Sequence, residues 1–307
     1  MKRQGYDVIG DVHGHADKLV SLLVKMGYED RDGSWRHSDR QAVFVGDLVD
    51  RGPKQLETVS IARSMVACGS ALITAGNHEF NAVAWRFGHR KKSPKNRRQH
   101  MAFLTEVGEG SAVHDELIEW FMTLPLWLDL GGLRVVHACW DPASIALLAE
   151  QVGPGNSLTA DLVKRATKNG SPEWRTVEHL LKGPEVSLAP YPAYLDSGGE
   201  PRKRARWKWW DSNALSLRSG VVLPANPVTA TGDPYPVLPD EPLRSLPVTL
   251  YTDEIPVIYG HFWETGTPKP SSRFTACVDY SAGKGGPLVA YRWSGEKQLT
   301  AENFASS

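Results

Sequence analysis

Short apolar runs alternate with amphipathic stretches through the first quarter of the chain. Two of these stretches, ADKLVSLLVKM (16–26) and LETVSIARSMVAC (56–68), carry apolar residues at helical spacing. The apolar runs are about five residues long, as is typical of strands covered on both faces, which favours an α/β sheet. The pattern predicts β-α-β-α-β, with strands at YDVIG (6–10), AVFVG (42–46) and ALITA (71–75).

The same two periodicities continue further along the chain. Helical spacing recurs at 97–108, at 113–124 and in shorter pieces from 142 to about 182. Strands are predicted at LWLDL (126–130) and LRVVHA (133–138), joined as a hairpin at Gly131-Gly132, and then at 256–260, 274–280 and 287–293. Between them, at about 183–255, proline becomes frequent, which indicates a loop-rich insertion or cap. We therefore predict a single domain spanning residues 1–307 that carries this insertion.

Composition excludes several classes of protein. Lys and Arg total 35, as do Asp and Glu, so no global charge draws the chain to nucleic acid or to an anionic membrane. The three cysteines show no C-x-x-C spacing, which disfavours a disulfide framework or a thiolate zinc site. No apolar run reaches the length of a membrane span. We expect a cytoplasmic protein without a nucleic-acid or membrane partner, while its oligomeric state stays open.

Polar residues that can bind metals follow five of the predicted strands. They lie in GDVHG (10–14), GDLVDRG (46–52), GNHE (76–79), VVHA (135–138) and YGHF (259–262). The carboxyl ends of strands are where open α/β sheets place functional groups. The candidates are Asp11, His13, Asp47, Asp50, Arg51, Asn77, His78, His137 and His261.

This set of side chains points to transition metals. Oxygen and imidazole ligands without thiolate suit divalent manganese, iron or zinc better than magnesium or calcium. Six or seven candidate ligands exceed the needs of one ion with open positions. Two cations about 3.5–4 Å apart are a known device for hydrolysing phosphoryl groups. The expected cofactors are two divalent metal ions, Mn²⁺ foremost, with Fe or Zn as alternatives.

In this order, the motifs G-D-x-H-G, G-D-x-x-D-R-G and G-N-H-E, a strand-borne His and a later G-H resemble the calcineurin-like metallophosphoesterases. The likeness is to the phosphoprotein phosphatase superfamily, on the bacterial branch near the diadenosine tetraphosphatases. It is dense over the first 80 residues and then rests on positions 137 and 261. The resemblance implies an α/β sandwich of central β-sheets flanked by helices (α/β/β/α).

The resemblance also implies a role for each matching residue. Asp11 and His13 would hold the first metal, Asp47 would bridge both, and Asn77, His137 and His261 would hold the second. His78 would be the general acid for the leaving oxygen, oriented by Asp50, and Arg51 would grip two phosphate oxygens. The nucleophile of the family is a hydroxide that bridges the two metals and attacks phosphorus in line.

Several interpretations stay open. Arg204 or Arg206, in RARWKWWD (204–211), would be a second phosphate clamp if the insertion reaches the active site; otherwise the segment is a surface stapled by Trp packing. The charged run FGHRKKSPKNRRQH (87–100) would contact a polyanion or, as we favour, form a solvated face. His114 is interpreted as part of a solvated helix face.

The main functional hypothesis is a dinuclear metal-dependent hydrolase of phosphoric monoesters or nucleotide phosphoanhydrides. One alternative is a serine/threonine protein phosphatase, because both reactions use the same metal core. The other is a module that binds phosphorylated ligands without turnover, although the chain keeps both Asp47 and His78. The motifs do not separate a phosphorylated small molecule, a nucleotide and a phosphoprotein as substrate.

Overall fold

A computed structural model describes residues 4–196 and 198–307, and it confirms the predicted β-α-β-α-β order at the start of the chain. The elements are β1 (Gly5–Ile9), α1 (Ala16–Met26), β2 (Glu29–Arg31), β3 (Ser34–Arg36), β4 (Arg40–Phe44), α2 (Gln55–Ala67) and β5 (Ala71–Ile73). The hairpin of β2 and β3 was not predicted. Its turn is Asp32-Gly33, with φ of 55° and 77°, a pair that favours two-residue hairpins.

The middle of the chain is mostly helical and contains one predicted hairpin. Its elements are α3 (Asn77–Arg86), α4 (Pro94–Val107), α5 (Ala112–Met122), β6 (Trp127–Asp129), β7 (Arg134–Val136), α6 (Pro142–Leu148), α7 (Ala160–Ala166) and α8 (Pro172–Lys182). The antiparallel pairing of β6 with β7 confirms the hairpin at Gly131-Gly132. Helices α4 and α5 start where Ser93 and Ser111 accept a backbone N–H three residues ahead, as N-caps do.

The chain forms two compact units. The first runs to Lys182 and resumes at Glu254–Ser307, and the second is Gly183–Asp253. The second unit contains β8 (Glu185–Ser187), β9 (Tyr194–Leu195), β10 (Pro201–Arg202), β11 (Arg204–Trp207), α9 (Leu217–Gly220) and β12 (Val221–Val222). Strand β11 lies between β12 and β8, and β9 pairs with β10. The first unit ends with β13 (Val257–Tyr259), β14 (Thr275–Cys277), β15 (Val289–Trp293) and β16 (Phe304–Ser306).

Two sheets make up the centre of the first unit. One has the order β16-β15-β1-β4-β5, and its strands β1, β4 and β5 are parallel. The other has the order β14-β13-β7-β6, with β13 parallel to both β14 and β7. Parallel strands place their carboxyl ends at a common edge, so the loops after β1, β4 and β5 meet, as do those after β7, β13 and β14.

One apolar core joins the two sheets. Val8, Val43 and Tyr291 come from the first sheet, and Val135 and Ile258 come from the second, all of them fully buried. Helix α1 contacts β16 and α2 contacts β5, while the Ala138 N–H just after β7 donates to Leu180 O of α8 at 2.9 Å. The fold is therefore α/β with central sheets flanked by helices, as predicted. Within the described residues, no helix combines the length and apolar character needed to cross a membrane.

Candidate metal centre and acid dyad

The loops that follow strands of both sheets bring the predicted ligands together. Asp11 and His13 follow β1, Asp47 follows β4, and Asn77 begins α3 just after β5. The second sheet adds its own pair. These are His137, directly after β7, and His261, after β13. All six side chains are buried, with exposed fractions of 0–7%.

Asp47 lies at the centre of this group. Its Oδ2 is 3.7 Å from His13 Nε2, 3.4 Å from His137 Nε2 and 3.8 Å from His78 Nε2. Its Oδ1 accepts the His78 backbone N–H at 2.9 Å. A carboxylate with imidazoles on two sides has the arrangement required of a ligand shared by two cations.

The predicted second ligand group is continuous with Asp47. Asn77 Oδ1 lies 3.2 Å from His137 Nε2, and the His137 and His261 rings meet edge to face with centroids 5.1 Å apart. Asp47, His137 and His261 offer ligand atoms that all lie within 4.8 Å of one another. His13, Asp47 and His78 form a second such group. These two groups share only Asp47.

Asp11 reaches the group through the loop after β13. Its carboxylate accepts the His261 backbone N–H, with distances of 3.3 and 3.2 Å to its two oxygens. A Cβ at Gly260 would lie 2.1 Å from Asp11 Oδ1, so only glycine allows this approach. Burial, followed by the nearby Asp279 carboxylate, raises the pKa of Asp11. The presence of two carboxylates at this point favours a bound cation.

The imidazoles of His13 and His137 are oriented for ligation. Their Nδ1 atoms lie 3.0 Å from Val49 O and 2.8 Å from Val45 O. A carbonyl only accepts, so each Nδ1 carries a proton, and each Nε2 faces Asp47. Burial, followed by the positive charge of His78, lowers the pKa of His13 to about 3. His13 Nε2 is buried and has no hydrogen-bond partner among the described residues, and this neutral, oriented donor fits a divalent transition metal.

The loops that carry these residues contain left-handed backbone. Positive φ is uncommon for residues with a Cβ and is concentrated at functional sites. Five of the nine predicted residues adopt it: His13 (48°), Asp47 (53°), Asp50 (72°), Arg51 (74°) and His261 (71°). Neighbouring glycine makes room for them. A Cβ at Gly76 would lie 2.4 Å from Asp47 N.

His78 and Asp50 form the predicted dyad. His78 Nδ1 lies 2.5 Å from Asp50 Oδ2, while His78 Nε2 faces Asp47. Burial lowers the pKa of His78, but the carboxylates of Asp47 and Asp50 outweigh this effect and raise it. The dyad thus favours the protonated form of the His78 imidazole, the form that a general acid needs.

Arg51 lies on the other side of His13. Its guanidinium carbon is 4.9 Å from the centroid of the Trp263 ring, and Lys284 Nζ lies 3.6 Å from the same ring. The Arg51 and His13 side chains both border Gly283, where a Cβ would be 2.7 Å from Arg51 Cδ and 2.8 Å from His13 Cδ2. Stacking on an indole orients the planar guanidinium, which suits it to bidentate contact with an anion.

Comparison with known families agrees with this geometry. The family model described as calcineurin-like phosphoesterase matches residues 6–180, more than half of the chain. The chain belongs to the calcineurin-like phosphoesterases. The match covers every predicted site residue from Asp11 to His137 and stops before His261, Arg204 and Arg206.

Curated relatives in this phosphoesterase family are bacterial. The asymmetrical bis(5'-nucleosyl)-tetraphosphatase of Bacillus velezensis is 35% identical over 138 residues, which are 43% of this chain and 55% of that protein. The enzyme of the same name from Geobacillus sp. is 48% identical over 137 residues, 43% of this chain and 56% of that protein. The chain thus spans about half the length of these relatives.

A solved structure shares the phosphoesterase fold. A protein serine/threonine phosphatase from Saccharomyces cerevisiae superposes with a TM-score of 0.51 and 13% identity, covering 98% of this chain and 78% of that one. At this identity the likeness concerns the fold alone.

Three buried residues of the site lie outside the set predicted to bind metal or substrate or to act in catalysis. Asp279 follows β14 and accepts the Trp263 and Ser281 N–H groups at 3.0 and 2.9 Å. It carries the same signal, a carboxylate directly after a strand, that identified Asp11. Glu79 accepts backbone N–H groups beneath Asp47. His100 lies in the run interpreted as a solvated face, yet it is 1% exposed and its Nδ1 is 2.7 Å from Asp50 Oδ2.

The predictions for His114 and for the arginines of β11 have different outcomes. His114, interpreted as solvated, is fully buried against Phe103, and its Nδ1 accepts the Gly110 N–H at 3.0 Å, so that interpretation was wrong. Arg204 and Arg206 lie on β11 in the second unit, where Arg204 contacts Glu185 through its Oε2 at 3.3 Å and its carbonyl at 2.9 Å. Their role in substrate binding stays a prediction.

Proposed function

We propose that this chain is a dinuclear metal-dependent phosphohydrolase that cleaves phosphoric monoesters or nucleotide phosphoanhydrides. The observation that carries the proposal is the position of Asp47 Oδ2, 3.4–3.8 Å from three imidazole Nε2 atoms. Two of these imidazoles, His13 and His137, are oriented by backbone carbonyls as ligands. The third, His78, is backed by Asp50 as a proton donor.

Six residues would hold the metals. Asp11, His13 and Asp47 would bind the first, and Asp47, Asn77, His137 and His261 the second. Manganese is the metal we propose, because all of these donors are oxygen or imidazole nitrogen; iron and zinc share this preference. Bound cations would supply Lewis acidity, and they would lower the pKa of a water molecule to a value near neutrality.

The remaining residues act on the phosphate and on the leaving group. Arg51, held flat against Trp263, would grip two phosphate oxygens with its guanidinium and orient phosphorus for in-line attack. His78 would donate the proton on Nε2 to the departing oxygen, while its Nδ1–H remains bonded to Asp50. The negative charge of Asp50 keeps the imidazolium form available.

A nucleotide is the substrate class we favour. The relatives matched over the ligand-bearing segment carry names of bis(5'-nucleosyl)-tetraphosphatases, symmetrical and asymmetrical. An anhydride linking two nucleotides and a monoester both offer a tetrahedral phosphorus with one P–O bond to be cleaved and a leaving oxygen for His78 to protonate. We also propose that the reaction takes place in the cytoplasm.

The test compares substrates and one variant. The protein with added Mn²⁺ should release phosphate from an aryl phosphate, and it should cleave diadenosine tetraphosphate faster than an equal concentration of phosphopeptide. Asp47→Asn should abolish both reactions, whereas Asp17→Asn, at an exposed carboxylate paired with Lys54 at 2.6 Å, should leave them unchanged. Near-normal turnover by Asp47→Asn would sink the assignment. Faster turnover of the phosphopeptide would favour a protein phosphatase.

A further inference from the structure

The carboxylate of Asp50 lies between two imidazoles that come from different helices. His78 Nδ1, from α3, is 2.5 Å from Asp50 Oδ2, and His100 Nδ1, from α4, is 2.7 Å from the same oxygen. We propose that His100 is a positioning residue that fixes Asp50 and thereby aims His78 at the leaving group. This inference rests on the proposed function, since it assigns a task within the same reaction.

The contact is buried and specific. Asp50 and His100 are 0% and 1% exposed. Neither Asp50 Oδ1 nor His100 Nδ1 makes an aligned hydrogen bond among the described residues, so the 2.7 Å approach of His100 Nδ1 to Asp50 Oδ2 is a close contact and not a formed hydrogen bond. Both imidazoles approach this carboxylate at Oδ2. Burial raises the pKa of Asp50, but the contacts with His100 and His78 outweigh it and hold the pKa at about 2. Asp50 is thus an anion that both imidazoles stabilise.

Helix α4 is suited to hold His100 still. His100 belongs to its buried face together with Phe103, Leu104 and Val107, at spacings of three, four and seven residues. The ring of Trp85 packs edge to face on His100, with centroids 6.2 Å apart. A ring packed in this way has little freedom to rotate. The position of His100 therefore restricts the orientation of the Asp50 carboxylate.

The same helix also anchors the backbone of Asp50. The Glu106 carboxylate on α4 accepts the Gln55 N–H at 2.6 Å and the Leu56 N–H at 3.0 Å, where α2 begins. The Gln55 side-chain oxygen in turn accepts the Asp50 N–H at 2.6 Å. Helix α4 therefore holds Asp50 at its side chain through His100 and at its backbone through Gln55.

The consequence for chemistry concerns proton donation. With Asp50 fixed on Nδ1, the Nε2 of His78 is held at one orientation, 3.8 Å from Asp47 Oδ2. A carboxylate without His100 would be free to rotate, and the imidazole would rotate with it. Binding of the phosphate, which falls to Arg51 and the metals, does not depend on this orientation. Loss of His100 should therefore affect kcat and leave KM unchanged.

The test uses leaving groups of different acidity. Phenyl phosphate needs a proton donor, whereas p-nitrophenyl phosphate has a leaving group stable as an anion. Since a positioned general acid contributes about 10²–10⁴-fold, His100→Leu should lower kcat for phenyl phosphate by about 10-fold or more. For p-nitrophenyl phosphate the loss should be about twofold or less. His100→Asn, whose Nδ2–H takes about the place of Nδ1–H, should restore most of the loss.

Two controls separate positioning from folding. His114→Leu removes another buried imidazole, one whose Nδ1 accepts the Gly110 N–H, and it should not change the ratio of the two rates. In a double-mutant cycle, His100→Leu added to Asp50→Asn should cost nothing further, because His100 acts through Asp50. Every variant is assayed at a temperature below its own Tm. If His100→Leu does not fold, His100→Phe, which fills the ring volume without a donor, replaces it.

Equal losses on both substrates, a raised KM, or additive losses in the cycle would each overturn the role of His100. Wild-type activity separates this proposal from the one on which it rests. If the wild-type protein with Mn²⁺ hydrolyses neither the aryl phosphates nor diadenosine tetraphosphate, the proposed function fails. If it hydrolyses both aryl phosphates and His100→Leu keeps the same rate ratio, only the positioning role fails.

Discussion

The carboxylate of Glu79 accepts the backbone N–H of Asp47 at 2.8 Å. The same carboxylate accepts the Leu48 N–H at 2.8 Å and the Gly76 N–H at 2.9 Å. The last residue of GNHE therefore holds the backbone of GDLVDRG, and two motifs 30 residues apart are fixed to one another. The position of the Asp47 carboxylate depends on this contact.

We predict that Glu79→Gln destabilises the protein and weakens metal binding. The amide group of Gln offers one acceptor and one donor to three N–H groups, so at least one of them loses its partner. A buried donor without a partner costs about 1–3 kcal/mol. Denaturant unfolding measures the first effect, and a Mn²⁺ titration followed by activity measures the second. An unchanged midpoint together with unchanged Mn²⁺ dependence would contradict this.

Metal removal should lower the stability of the protein. The ligands come from loops of both sheets, and the unfolded chain cannot assemble them, so a cation binds the native state alone. At a free Mn²⁺ concentration 100 times the Kd, the gain is about 2.7 kcal/mol. Thermal unfolding with chelator and then with excess Mn²⁺ measures the difference. His137→Ala should reduce the shift, and equal Tm values in both conditions would refute the prediction.

A buried charge away from the site should matter for stability alone. Asp7 on β1 is fully buried, with Arg40 Nε at 2.8 Å, Arg292 Nε at 3.1 Å and the Tyr28 hydroxyl at 3.0 Å. Asp7→Ala would leave Arg40 without its carboxylate partner, at a cost of about 3–5 kcal/mol. Urea unfolding should show this loss, while the specific activity of the folded fraction stays unchanged. Asp39→Ala, at a carboxylate that is 33% exposed and lies 2.8 Å from His37 Nδ1, is the control.

The role of Arg204 and Arg206 can be tested by comparison with a neighbour. If either is a phosphate clamp, its replacement by Ala should raise KM for diadenosine tetraphosphate about 10-fold, the loss of about 1.4 kcal/mol expected for a charged hydrogen bond. Arg202→Ala serves as the control, because Arg202 Nε contacts Asp196 Oδ2 at 2.8 Å on the adjacent hairpin. If all three variants show the same KM, these arginines have no part in binding.

The sequence indicated which side chains lie together where they directly follow strands. Asp11, Asp47 and His137 could be placed because a strand end fixes the position of the next few residues. His100 could not be placed in this way. It lies in a strongly charged helix, and its contact with Asp50 spans 50 residues, which local periodicity does not report. The spacing of His100 with Phe103, Leu104 and Val107 did carry a signal of burial that the surrounding charge obscured.

Helix α3 marks another limit. The segment GNHE was interpreted as a loop after a strand, whereas the helix begins at Asn77 itself. Glu79, three residues after Gly76, accepts the Gly76 N–H and closes a capping box, and this feature is visible in the sequence. Sheet pairing was less accessible. Nothing local indicates that β1 lies between β15 and β4, because register depends on contacts between distant segments.

The left-handed backbone at Asp47 and His13 affects how this protein can be stabilised by mutation. Glycine adopts these conformations without a Cβ penalty, so glycine at either position would relax the loop while removing a metal ligand. In metal-free protein, a screen for heat resistance alone would therefore enrich variants at these two positions. Directed evolution needs selection for turnover at every round, since both of these left-handed positions carry proposed metal ligands.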